Sequence, residues 1–350
     1  MRPPAAVGIV AAAVALGMYV CSSGTSTEPP EPSSAPTTGE SPPAASTTPG
    51  PTSTAAGPPL PLPQGSAWGL DFPDPFVTTV DGVHHAYGTT SGRVEVQHLS
   101  SRTLTGWAGP IDVLPETPSW ATPLSTWAPA LLRRDDSNLL FFTAQVAGTD
   151  KHCISVADAA SPDGPFVDAG DWPLLCPDDL GGAIDPSPFV EDDGTAYLLW
   201  KNDGVTLRRD SAIWSQRLSD DGRSLVGEPT QLIATDRRWE YPHVEAPSMV
   251  HVGGTYWLAY SGNWWNQAAY GIGLATCTSP TGPCDKPFDG PVITSRPGAQ
   301  GPGGAEFFHD REGRLLIAYH AWLGQPGYPG HRALHIAPVD VDADALGLRP

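Results

Sequence analysis

The chain has 350 residues, with 38 Asp and Glu against 19 Lys and Arg, and it is rich in Pro (40) and Gly (38). A formal net charge of −19 argues against nucleic acid or an anionic membrane surface as a partner.

At the N-terminus a single charge, Arg2, precedes the apolar run "AAVGIVAAAVALGMYV", which ends at Cys21. The run is short for a membrane span of about 20 residues and suits a signal-peptide core over residues 1–21. Cys21, followed by "SSGTST", is a candidate lipidation site, although Val20 is bulky where such sites carry a small residue. The expectation is export to the cell surface or medium, with a lipid anchor to the membrane as one route. Residues 22–66 are dominated by Pro, Ser, Thr, Ala and Gly. They lack the large apolar side chains needed to offset ordering entropy, so they predict a disordered tether.

Residues 67–350 hold the folded domain, expected to act as a monomer. Besides Cys21 it contains Cys153, Cys176, Cys277 and Cys284. Four cysteines allow three pairings, and proximity in an exported domain favours Cys153–Cys176 and Cys277–Cys284.

The domain is a repeat. "DPFVTTVDGVHHAYGTT" from Asp74 is echoed by "APALLRRDDSNLLFFTA" from Ala128 and "DPSPFVEDDGTAYLLWKN" from Asp185. "APSMVHVGGTYWLAYSGN" from Ala246 and, more loosely, "GAEFFHDREGRLLIAYHAW" from Gly304 complete the series, with starts 54 to 61 residues apart. Each unit reads as a strand, a turn of Asp, Gly or Ser, and an aromatic-rich strand. A third strand follows in each ("VEVQHLSS", "CISVADAASPDG", "AIWSQRLSDDG", "GIGLATCTSPTG", "RALHIAPVDVDAD"). A fourth is expected at "GPIDVL", "GPFVDAG", "TQLIAT" and "GPVITS", with none evident in the last unit, whose edge is either filled by residues 60–70 or left open. Five four-stranded antiparallel units predict an all-β, five-bladed β-propeller.

In a propeller the first strand of each blade lines the central channel, so equivalent positions form a ring. Asp74 and Asp185 directly precede the motif Pro, while Ala128 and Ala246 hold that slot in the second and fourth units and Glu245 stands one residue earlier. Asp74, between Pro73 and Pro75, is expected in an extended entrance to its strand. The register therefore brings Asp74, Asp185 and Glu245 together, and mutual repulsion with burial should raise at least one of their pKa values. Carboxyls with separated pKa values supply the acid and base needed to hydrolyse an acetal.

"DFPDPFV", "WAPALL", "AIDPSPFVEDDGTAYLLWKNDG", "VEAPSMV", "YWLAYSGN" and "RLLIAYHAW", in this order, make the chain similar to glycoside hydrolase family 43. The resemblance implies a five-bladed propeller and an inverting hydrolase of arabinose- and xylose-containing plant polysaccharides. Motif by motif, it implies Asp74 as general base, Glu245 as general acid and Asp185 as the residue that orients Glu245 and keeps its pKa raised. Inversion implies a base–acid separation of about 6.5–9.5 Å. Trp127, Arg332 and His243 are candidate substrate contacts, as are Trp264 and Trp265 in the loop "NWWNQ"; Trp200 and Trp257 read as core. Family members often carry a His where "GPGGAE" has Gly304, which puts the family's structural calcium in doubt and leaves Glu306 and His320 as substitute ligands; no cofactor is required. Glu240 is the runner-up acid, outside the repeat register, and Asp71 is a bystander.

The expected activity is an exo-α-L-arabinofuranosidase, with β-xylosidase and endo-arabinanase as alternatives. A surface lipoprotein that binds glycans without cleaving them is the alternative of another class. Related fructan hydrolases would show "NDPNG", and sialidase-like propellers repeated Asp boxes; neither pattern is present.

Overall fold

The computed structural model describes residues 62–134, 137–204, 210–342 and 345–348. The export segment 1–21 with Cys21, and all but the last few residues of the tether, lie outside the described residues.

Blade 1 comprises β1 (Phe76–Val80), β2 (Val83–Gly88), β3 (Gln97–Ser101) and β4 (Ala108–Asp112). Blade 2 comprises β5 (Ala121–Arg134), β6 (Ser137–Val146) and β7 (His152–Ala159). Blade 3 holds β8 (Ala183–Val190), β9 (Ala196–Asn202), β10 (Ala212–Leu218) and β11 (Leu225–Ala234). Blade 4 holds β12 (Val244–Val252), β13 (Thr255–Gly262), β14 (Gly271–Cys277) and β15 (Cys284–Asp285). Blade 5 holds β16 (Gln300–His309), β17 (Leu315–Trp322), β18 (Arg332–Asp342) and β19 (Ala345–Leu348).

All pairings within these blades are antiparallel. The first strands touch in sequence, β1 to β5, β5 to β8, β8 to β12 and β12 to β16, and β16 returns to β1. That closed ring makes the domain a five-bladed propeller. Each strand turns one apolar face to the next blade, so the core is divided into five clusters, one per blade junction. Phe76 and Leu131 lie in the cluster of blades 1 and 2, and Trp200 and Phe141 in that of blades 2 and 3. Leu199 and Tyr260 join blades 3 and 4, Trp257 and Ile317 join 4 and 5, and Phe72 and Leu334 close 5 onto 1. Trp200 and Trp257 are core, as their strand patterns predict.

Three blade edges differ from expectation. "GPFVDAG" makes a single bridge, Asp158 to Val167, and leaves blade 2 with three strands. "GPVITS" likewise gives one bridge, Ile272 to Ile293, while the fourth strand of blade 4 is Cys284–Asp285. Blade 5 does possess a fourth strand: β19 covers Val339 to Asp342 of β18. The earlier half of β18 is covered by the segment before blade 1, where Ala67 N–H donates to Leu334 O at 2.7 Å and Phe72 N–H to Arg332 O at 2.8 Å. Residues 67–72 thus share the edge, which ties the start of the domain to its last blade.

Both favoured disulfides are present, Cys153–Cys176 and Cys277–Cys284. The second joins directly paired positions of β14 and β15, which explains how a two-residue strand holds the edge.

Candidate active site

Asp74, Ala128, Asp185, Ala246 and Gly304 share one backbone conformation, with φ of 50°, 43°, 57°, 51° and 59°. The left-handed region replaces the extended entrance expected for Asp74. Where the inner strand extends across the motif, its register slips there, between Trp127 and Ala130, Ile184 and Ser187, Glu245 and Ser248, and Gly303 and Glu306. A bulge with a left-handed residue turns each chain into the channel. Asp tolerates this region better than Ala does, and each strained non-Gly residue costs roughly 1–3 kcal/mol that the surrounding structure must offset.

The restraint on each bulge is a hydrogen bond from the preceding blade. Ala128 N–H donates to Thr89 Oγ1 at 2.9 Å, Asp185 N–H to Thr143 Oγ1 at 3.1 Å, and Gly304 N–H to Ser261 Oγ at 3.0 Å. Across the closure, Asp74 N–H donates to His320 Nδ1 at 3.0 Å. These acceptors occupy one register position at the end of the second strand, and the equivalent residue in blade 3 is Lys201, paired with Ile184. Lysine has no acceptor. Asp185 Oδ2 takes the Ala246 N–H instead, at 2.9 Å, and Lys201 turns its Nζ to Glu245 Oε2 at 3.1 Å.

Around Asp74, burial by itself would raise the carboxyl, but the Arg332 guanidinium, the His320 ring and the Thr89 hydroxyl outweigh it and hold it below its ordinary value. Thr89 Oγ1 donates to Asp74 Oδ2 at 2.7 Å, and Arg332 Nη1 lies 3.7 Å from the same oxygen. Asp74 is therefore an anion at neutral pH. Burial pushes His320 down to about 3, so its neutral ring accepts from the Asp74 N–H. Asp71 accepts from the Arg332 backbone N–H at 2.9 Å, so the bystander positions the arginine.

The other two acids form a separate electrostatic unit. Burial, then the charge of Glu245, pushes Asp185 up to about 7, against the opposing pull of Lys201. Burial disfavours the Lys201 ammonium too, yet Glu245 and Asp185 outweigh it and raise its pKa. Tyr270 Oη donates to Glu245 Oε1 at 2.8 Å, so both oxygens of Glu245 have a partner. Gly303 makes room for this tyrosine, because a Cβ there would stand 1.9 Å from its ring. A Cβ on Gly304 would meet His320 Nδ1 at 2.7 Å, so Gly303 and Gly304, the last two glycines of "GPGG", admit two ring side chains to the site.

The predicted substrate contacts fall on two sides. Arg332 packs 4.8 Å over the Trp265 ring and 5.8 Å from that of Trp322, with Tyr328 Oη 3.2 Å from its Nη2. His243 meets Trp264 edge-on at 4.6 Å, and Trp264 is 47 % exposed. Half-buried Trp127 stacks on His152 at 4.0 Å, and His152 Nδ1 is 2.9 Å from Asp203 Oδ2.

Glu240 is not a site acid. It is fully buried and accepts from Tyr260 Oη, Lys286 Nζ and the backbone N–H groups of Asp236 and Arg237, so it ties the loop before β12. Glu306 lines a channel cavity of about 30 Å³ walled by the bulge residues, and burial pushes its carboxyl up to about 8. Its Oε2 accepts from Ser187 Oγ at 3.3 Å. Glu306 and His320 do not join a third acid or histidine in a ligand set among the described residues, so this pair does not fit a calcium held by protein side chains.

Lys201, Thr89 and Tyr270 escaped the sequence reading. Thr89, Thr143, Lys201, Ser261 and His320 follow their bulge residues by 15 or 16 positions, a spacing that would have found the lysine as the one member of the series without an acceptor atom. Tyr270 lies outside any repeat and left no such signal.

A family model described as "Glycosyl hydrolases family 43" matches residues 69–346. The chain is 29% identical over 180 residues to beta-D-galactofuranosidase xynD of Aspergillus niger, covering 47% of each protein. It is 28% identical over 176 residues to an arabinoxylan arabinofuranohydrolase of Bacillus subtilis, covering 45% of this chain and 33% of that one. These alignments thus span half or less of both curated relatives. Among solved structures, a thermostable family-43 glycoside hydrolase superimposes with a TM-score of 0.72 at 25% identity, covering 80% of this chain and 93% of that one.

Proposed function

Because the chain belongs to glycosyl hydrolases family 43, we propose that it is an inverting exo-α-L-arabinofuranosidase acting on arabinose-bearing plant polysaccharides or their oligosaccharides. The observation that carries the reading is the division of the carboxyls. Arg332 and Thr89 keep Asp74 ionised, while Asp185 is pushed up to about 7 beside Glu245. Two environments that pull carboxyls apart in pKa match the base and acid of glycoside hydrolysis. The furanosidase assignment draws on the relatives, since both curated names specify a furanoside substrate.

In this mechanism Asp74 accepts a proton from water as that water's oxygen bonds to the anomeric carbon. Glu245 delivers the proton held by the Asp185–Glu245 pair to the departing glycosidic oxygen as the C–O bond breaks. Two carboxylates then face each other, and the Lys201 ammonium compensates the charge that develops on Glu245. Arg332, with Trp265 beside it, meets the bound sugar, and Trp264 and Trp127 offer aromatic faces to its ring or its neighbours.

Export completes the reading, with the tether carrying the domain away from a Cys21 anchor. The two disulfides suit an oxidising compartment. Metabolic labelling with a radioactive fatty acid, lost in Cys21→Ala, tests the anchor.

The deciding experiment follows an aryl α-L-arabinofuranoside by NMR, beside an aryl β-xyloside and debranched arabinan. Fast release of β-configured arabinose from the first supports the proposal. An α-configured first product, or preference for xyloside or internal arabinan bonds, overturns it.

A further inference from the structure

At their junction, blades 1 and 2 bring three metal-ligating side chains together. His85 is paired with Thr78, four residues or roughly 13 Å along the first strand from Asp74. His98 is its diagonal neighbour on β3, since His85 faces Ser100 and Tyr87 faces His98. Both imidazoles are buried, at 4% and 2% exposure. Asp163 reaches them from the turn after β7 in blade 2, and that turn is anchored by Tyr87 Oη donating to Pro162 O at 2.6 Å. A cavity of about 580 Å³, lined by Asp81, His85, Ser100 and Asp163 among others, opens beside the cluster.

The donor atoms are spaced as a metal requires. His85 Nδ1 lies 3.0 Å from His98 Nε2, and Asp163 Oδ1 lies 3.6 Å from the first and 3.8 Å from the second. A point equidistant from all three is about 2.0 Å from each, the bond length of zinc to imidazole nitrogen and carboxylate oxygen. Two neutral imidazoles and one carboxylate suit a borderline cation rather than calcium, which takes 6–8 oxygen ligands. Asp81 and Arg133 also face His85, with opposite charges.

We propose that His85, His98 and Asp163 bind one zinc-class divalent ion, which clips blade 1 to blade 2, with water from the adjoining cavity in the fourth position. Binding replaces the hydrogen bond between the two imidazoles with two metal–nitrogen bonds: the ring that donated it moves its proton to the nitrogen facing away from the metal, where the other ring already carries its own. The site is remote from Asp74, Asp185 and Glu245, so its role is to hold the junction.

The test uses the full chain without an affinity tag, stripped with a chelator and titrated with Zn²⁺ by calorimetry, with Co²⁺ absorption reporting coordination. One zinc per chain is expected, with a melting temperature that rises on binding. Asp163→Asn, which removes a charge from an exposed turn and leaves the core intact, should weaken zinc by at least about 100-fold, as should His98→Ala. Hydrolysis of an aryl glycoside should stay within about twofold, because the catalytic acids are untouched. No stoichiometric zinc, or zinc affinity unchanged in Asp163→Asn and in a folded His85→Gln protein, overturns the proposal.

Discussion

The Nζ of Lys201 lies 3.1 Å from Oε2 of Glu245, at the register position from which the other four blades hold a backbone N–H of the next blade. The acid site is thus built where the propeller breaks its own pattern. Replacing Lys201 by Thr restores the pattern and removes the charge. The expected result is a fall in kcat of about 10²-fold and an alkaline limb of the pH–rate profile displaced upward, because the Asp185–Glu245 pair loses its cation. Kinetics from pH 5 to 9 on a protein with unchanged circular dichroism checks this; an unmoved limb would show that Lys201 only packs.

Asp74→Asn keeps an acceptor for Thr89 but cannot take a proton. Its kcat should drop by at least about 10³-fold while the melting temperature changes by only a few degrees, measured by aryl glycoside hydrolysis and calorimetry.

The buried acids predict how pH acts on rate and on stability. With Asp185 at about 7, kcat/KM should fall as pH rises through that value, because the proton to be delivered is lost. Glu306 binds its proton more tightly folded than unfolded, so its contribution is complete below about 4.5 and is lost as pH rises toward about 8. Glu306→Gln should therefore flatten the decline of melting temperature between those limits, and an unaltered decline would place its origin elsewhere.

Trp264 is the exposed tryptophan among the candidate substrate contacts, while Trp265 and Trp127 are half-buried. Trp264→Ala should raise KM for an arabinoxylan oligosaccharide by about 10-fold while changing that for a small aryl arabinofuranoside by less than about twofold. Equal effects on both substrates would place Trp264 against the sugar being cleaved.

The disulfides should differ in weight. Cys153–Cys176 spans 23 residues and Cys277–Cys284 spans 7. Loop-closure entropy assigns about 3.4 and 2.4 kcal/mol respectively, so removing the first pair should shift the urea midpoint more.

By itself the sequence determined the blade count, the channel ring and the place of Asp74, Asp185 and Glu245 in it, because strand alternation and turn residues are local and a repeat copies them in register. Only the tertiary structure decided what surrounds those acids. Arg332 reaches Asp74 because blade 5 closes on blade 1, and Tyr270 reaches Glu245 because Gly303 leaves it room. The shared left-handed turn was equally hidden, since a residue before proline reads as extended until neighbouring side chains hold its N–H. These contacts join residues far apart along the chain, and pKa values follow charge and burial in space, which no local pattern encodes.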